Sequence, residues 1–230
     1  MPKKFWRWVK NGFTGTRTLY IDGVIAEYTW WGDEVTPEMF RSELHADTGD
    51  VIIWLNSPGG DCVAASQIYA MLMDYVGNVT VKIDGMAASA ASVIAMAGTQ
   101  VYMAPTAMMM IHNPSTIAWG DSEEMQKTIE MLDEFKESII NAYAIKTGQI
   151  RTKISQWMDE ETWMNANKAK ELGFIDGILE DEKRQQATTA YAFSRMAAVN
   201  SLLSKIKPTK PAPQGVPAEQ LLERLFLISH

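Results

Sequence analysis

One hydroxyl, one imidazole and a glycine pair give this chain the parts for acyl transfer. Ser89 lies in Gly85-Met86-Ala87-Ala88-Ser89-Ala90-Ala91-Ser92, where a strand is expected to turn into a helix. A hydroxyl there sits near the positive end of the helix, and the Ala90 amide can point at a developing oxyanion. Gly59-Gly60 follows Pro58 at the end of the apolar run VIIWLNS. Glycines accept φ > 0 and can present N–H groups inward, as an oxyanion hole requires. His112 is one of three histidines, with His45 and His230, and it follows MMMI and precedes Asn113-Pro114. It is the general base that the middle of the chain supplies. Each segment alone also fits a bland role: a tightly packed helix, an ordinary β–α turn, a structural histidine. Together they favour nucleophile, oxyanion loop and base, a chemistry that needs no cofactor and no metal.

These residues need a scaffold, and the hydrophobic pattern outlines one. Leu19 to Glu27 alternates as a strand does, with Asp22-Gly23 as a bend. Thr36-Pro37 opens a helix whose apolar side is Met39, Phe40 and Leu44. Val51 to Leu55 is a continuous apolar run, which predicts a strand covered on both faces. Asp61 caps a helix to about Tyr75, Val79 to Ile83 is the next strand, and a second helix is expected from about Ala88. Strands near Val101–Met103 and Met108–Ile111 follow. Such alternation implies a mostly parallel sheet with packed helices, whose chemistry gathers beyond the carboxyl ends of the strands.

After His112 the pattern lengthens. Asp121 to Lys146 reads as one long helix with apolar positions at Met125, Ile129, Leu132, Phe135, Ile139 and Ile140. Shorter helices are expected over Ile150–Met158 and Asn165–Leu172, and a final strand over Phe174–Leu179. The spacing divides the chain into a lead, 1–17, with no clear period, a central domain, 18–182, and a tail, 183–230. The tail holds a Pro/Lys linker, SKIKPTKPAPQGVP, and an amphipathic helix pattern carrying Leu221, Leu222, Leu225 and Phe226. That helix suggests docking to the domain or to another protein.

Composition removes several function classes. A net charge of −7 argues against a nucleic-acid surface. A single cysteine, Cys62, rules out an internal disulfide framework and suits a reducing compartment. Arg7 and Lys10 interrupt the N-terminal apolar residues, so no secretory signal is read there, and no run is long enough to span a bilayer. The expectation is a cytoplasmic protein.

NSPGG, GMAAS and MIHNP, in that order and spacing, resemble the proteolytic subunit of the Clp protease. The likeness continues through TGQI and ETWMNANKAKELGFID and covers about Leu19 to Leu179. WWGDEVTPEMF and ETWM are similar to the phage and prophage branch, the ClpP-like head maturation proteases. The resemblance implies an α/β, crotonase-like (ClpP-type) fold of repeated β–α units with a protruding handle helix. It carries the nucleophile onto Ser89, the base onto His112 and the oxyanion donors onto the amides of Gly60 and Ala90. The triad acid falls within Asp159 to Trp163, with Glu161 where the family usually has Asp, and Asp159 as the alternative.

The same resemblance implies a protein or peptide substrate and a homo-oligomer, a heptameric ring or double ring joined through the long helix. Partners would be an ATPase unfoldase or a phage capsid or scaffold protein. The lead differs from the family's usual unfoldase-engaging loops. Two other readings share the scaffold: a crotonase-type acyl-CoA enzyme, and an assembly protein without turnover. The Ser89 and His112 pair favours the peptidase over both.

Overall fold

The computed structural model describes residues 4–10, 17–25 and 36–180. The tail, with its expected boundary near 182, its linker and its helix pattern, lies outside them, as does most of WWGDEVTPEMF.

The sheet begins with β1 (Trp6–Lys10) antiparallel to β2 (Arg17–Asp22), which runs parallel to β3 (Val51–Ser57) and then to β4 (Val79–Ala88). Hydrophobic alternation fixes the face each strand buries. Val51, Ile53 and Leu55 are sealed, as are Val79, Val81 and Ile83, while Ile52 and Trp54 are only half-buried. The uninterrupted apolar run of β3 therefore alternates after all. Its second face meets the Tyr20–Trp54–Lys82 cross-strand row, in which the Lys82 ammonium lies over the Trp54 ring at 5.4 Å.

β1 lies in the lead, where the sequence showed no period. Buried Trp6 packs edge-on to Phe40 of α1 (Pro37–Leu44), with ring centroids 5.2 Å apart. Thr36 caps α1 by accepting from the Met39 N–H. At the far end Arg17, itself buried, donates to the carbonyls of Glu43, Leu44 and Asp47. A cation on orphan C-terminal carbonyls satisfies both partners, so a charge can stay buried there.

β4 changes partner along its length. Thr80 to Ile83 pairs with β5 (Gln100–Met103), and Met86 to Ala88 pairs with β6 (Met108–Ile111), both parallel. The helix expected from about Ala88 therefore begins later, as α3 (Ala90–Ala95). Ladder bonds to β6 hold Ala87 and Ala88 extended, overriding alanine's helix preference. β7 (Thr162–Asn165) adds antiparallel to β6, and a two-residue β8 (Gly177–Ile178) closes against β5, shorter than the strand expected there.

The helices match the pattern more closely. α2 (Cys62–Met73) is capped by Asp61, which accepts from the Ala64 N–H at 2.7 Å. α4 (Ser122–Thr147) starts with a capping box between Asp121 and Glu124 and ends at left-handed Gly148. Ile139, Ile140, Ala142 and Tyr143 are buried, whereas Met125 and Ile129 nearer its start are exposed. α5 (Arg151–Asp159) and α6 (Ala166–Glu171) complete the described chain, in which no helix is long and apolar enough to cross a membrane.

Candidate active site

Ser89 occupies the single residue between β4 and α3 and makes the whole turn there. Its backbone stands at φ 55, ψ −127, a region that non-glycine residues rarely adopt and that costs about 1–3 kcal/mol. The surroundings hold it in place: its N–H donates to Met110 O at 2.9 Å, and its carbonyl accepts from the Ser92 N–H at 2.9 Å. Parallel pairing of Ala88 with Met110 runs β4 and β6 side by side to their carboxyl ends. Residues just past those ends must meet, and His112 Nε2 lies 2.7 Å from Ser89 Oγ.

The glycine pair approaches from β3. An isolated bridge joins Ile25 to Gly60: the Ile25 N–H donates to Gly59 O at 2.8 Å, and the Asp61 N–H donates to Ile25 O at 3.0 Å. Both bonds use Gly60's neighbours rather than Gly60 itself. Gly59 has φ 105, and a Cβ there would come within 2.7 Å of Ser89 Cβ and 3.1 Å of Ala90 N. A side chain would close that approach, whichever residue carried it. α3 is a single short element of six residues, so individual N–H groups rather than a long helix dipole supply the local donors.

The expected acid segment arrives on β7. Its antiparallel register sets Thr162 opposite Ile111, which brings the Glu161 backbone up to His112. The Glu161 carboxylate itself accepts from Trp163 Nε1 at 3.1 Å, and its backbone has φ 49. Asp159, two residues earlier, accepts from Asn113 Nδ2 at 2.9 Å and from Lys136 Nζ at 2.6 Å. The Lys136 bond first, and the Asn113 bond second, hold the Asp159 carboxyl below the usual carboxylate range. Among the described residues neither carboxylate hydrogen-bonds His112. Ser89 and His112 are therefore in contact, Gly59 packs against Ser89 and Ala90, and Glu161 and Asp159 come close by way of the β7 register and of Asn113. Asn113 Oδ1 is buried nearby and has no hydrogen-bond partner among the described residues.

Sequence spacing did not reveal Lys136 or Trp163 as partners of these acids. Lys136 reaches Asp159 across 23 residues of chain, and no local pattern announces such a tie. Asn113 was visible only as the neighbour of His112.

A family profile described as Clp protease matches residues 9–182, more than half of the chain. The chain belongs to the Clp protease family. Among relatives, it is 31% identical over 176 residues to the ATP-dependent Clp protease proteolytic subunit 2 of Tropheryma whipplei, covering 71% of this chain and 97% of that one. It is 31% identical over 169 residues to the corresponding subunit 1 of Chlamydia trachomatis, covering 71% and 86%. The chloroplastic proteolytic subunit 6 of Arabidopsis thaliana is 31% identical over 138 residues, covering 59% of this chain and 51% of that longer one. The β–α units of this chain, with β6 and β7 set beyond them, form a mixed α/β fold consistent with the Clp protease type. NSPGG, GMAAS and MIHNP all fall inside the span that the Clp protease profile matches.

Proposed function

We propose that this chain is a serine endopeptidase that cleaves protein substrates through an acyl-enzyme on Ser89. The observation that carries the reading is the 2.7 Å contact between Ser89 Oγ and His112 Nε2 at a strained strand-to-helix turn. His112 accepts the Ser89 proton as Oγ attacks the peptide carbonyl. The N–H groups of Gly60 and Ala90 receive the negative charge that develops on the carbonyl oxygen. His112 then gives its proton to the leaving amine, and water releases the acyl group by the same route in reverse. A carboxylate from β7 or the end of α5 orients the imidazole, Glu161 by register and Asp159 as the alternative.

We further propose that the protein works as a ring-shaped homo-oligomer, with α4 contributing to its assembly. Apolar side chains exposed near the start of α4 support this, including Ile129 and the preceding Trp119. The relatives' names carry ATP dependence, which makes an ATPase unfoldase a proposed partner here too. The WWGDEVTPEMF and ETWM segments support a role in phage prohead maturation, with a capsid or scaffold protein as substrate or partner.

Labelling with a fluorophosphonate tests the catalytic core directly. The parent should be modified at Ser89, and Ser89→Ala and His112→Ala should lose labelling and peptide turnover by about 10⁴-fold or more. Labelling that survives in Ser89→Ala would exclude Ser89 as nucleophile.

A further inference from the structure

The Ser89 carbonyl carries a second hydrogen bond, from a side chain that the acyl-transfer scheme does not use. Ser92 Oγ lies 2.6 Å from Ser89 O, in addition to the Ser92 N–H bond to the same oxygen. A carbonyl only accepts, so the one hydrogen of the Ser92 hydroxyl is committed to it. Ser92 Oγ is also 2.7 Å from the Tyr143 hydroxyl. Because Ser92 has no hydrogen left, Tyr143 must be the donor. The hydrogens therefore run in one direction: Tyr143 O–H to Ser92 Oγ, Ser92 O–H to Ser89 O.

This chain is buried and rigid. Ser92 has no exposed surface and Tyr143 has 1%. Burial pushes the Tyr143 phenol far above its ordinary range, so it keeps the proton that it donates. Its ring packs edge-on to Phe174 at 5.5 Å, and Thr147 Oγ1 donates to its backbone carbonyl at 2.7 Å. A donor that is itself hydrogen-bonded through its oxygen is polarised and donates more strongly.

The peptide unit between Ser89 and Ala90 is planar and trans, so its C=O and N–H point in opposite directions. Fixing Ser89 O therefore fixes the direction of the Ala90 N–H, the proposed oxyanion donor. We infer that Ser92 and Tyr143 are positioning residues that aim the Ala90 N–H at the oxyanion by holding the other end of the same peptide unit. The assignment rests on the peptidase reading above. It also gives α4 a part in the chemistry, since Tyr143 belongs to the buried end of that helix.

The test compares the full-length parent with Tyr143→Phe, Ser92→Ala and the double variant on a fluorogenic peptide. A peptide aldehyde, whose tetrahedral adduct places its oxygen in the oxyanion site, serves as second probe. Tyr143→Phe should lower kcat about 3–10-fold and Ser92→Ala about 10–100-fold, with KM within about twofold of the parent. Aldehyde affinity should fall in step with kcat/KM, and the double variant should lose no more than Ser92→Ala. Tyr143→Phe keeps the ring packing, so it reports even where Ser92→Ala folds poorly. Unchanged kcat in Tyr143→Phe, a loss confined to KM, or a double variant whose loss is the product of the singles would overturn the assignment. A parent that neither turns over peptide nor reacts with fluorophosphonate overturns the peptidase reading, and the positioning role falls with it.

Discussion

Two carboxylates stand near His112, and each has a different partner. Glu161 is opposite the histidine by register but accepts from the Trp163 indole, while Asp159 is tied to Asn113 and Lys136. Register favours Glu161, because its arm needs only a rotation about side-chain bonds to leave Trp163. Asp159 would have to give up a lysine and an amide together. Glu161→Gln is therefore expected to lower kcat about 10²–10⁴-fold and Asp159→Asn less than about tenfold, measured on the same peptide. The reverse order would assign the orienting role to Asp159. The residues proposed to perform bond chemistry are readable in the sequence because their neighbours constrain them. Ser89 sits among alanines that leave the backbone open, and His112 directly follows an apolar strand. The acid was not fixed, because two candidates lie two residues apart and only side-chain direction separates them.

At the level of elements, β3, α2 and α4 follow from an apolar run, a capping aspartate and a 3.6-residue stripe, although the run did not show that β3 buries only one face. β1 and β7 do not, and the reason is shared. Both are short strands whose stability comes from pairing with a distant segment, β1 with β2 and β7 with β6. The same holds for the last residues of β4, where a ladder to β6 defeats local helix preference. Long-range ties also join α4 to α5 through Lys136 and Asp159. The Asp159 pKa is depressed on folding, so its contribution to stability is present above its unfolded value, about 4, and fades as pH falls through the folded value. Asp159→Asn should consequently cost less than about 1 kcal/mol near neutral pH, and denaturation curves of the two proteins should converge below about pH 4. Curves that stay equally separated at acid pH would show that the tie is not what the carboxylate contributes.

At the scale of the molecule, α4 is two helices in one. Its later turns are built into the core around Ile139, Ile140 and Tyr143, and its earlier turns carry apolar side chains into solvent. Exposed Trp119, just before α4, and exposed Ile129 on it are the side chains that the proposed assembly would cover. The proposed assembly makes a definite forecast: sedimentation of the parent should show a species several times the 25.7 kDa chain, and Ile129→Glu should shift it to smaller particles without unfolding the protomer. A parent that sediments as a monomer at micromolar concentration would remove the ring.

The backbone at position 89 suits glycine far better than serine. A Ser89→Gly protein, chemically dead, should therefore melt higher than Ser89→Ala, by the equivalent of about 1 kcal/mol once glycine's greater freedom in the unfolded chain is deducted. If Ser89 is the proposed nucleophile, its hydroxyl sits against the thermal interest of its own turn, and a calorimeter can read how much resistance to heat that placement costs.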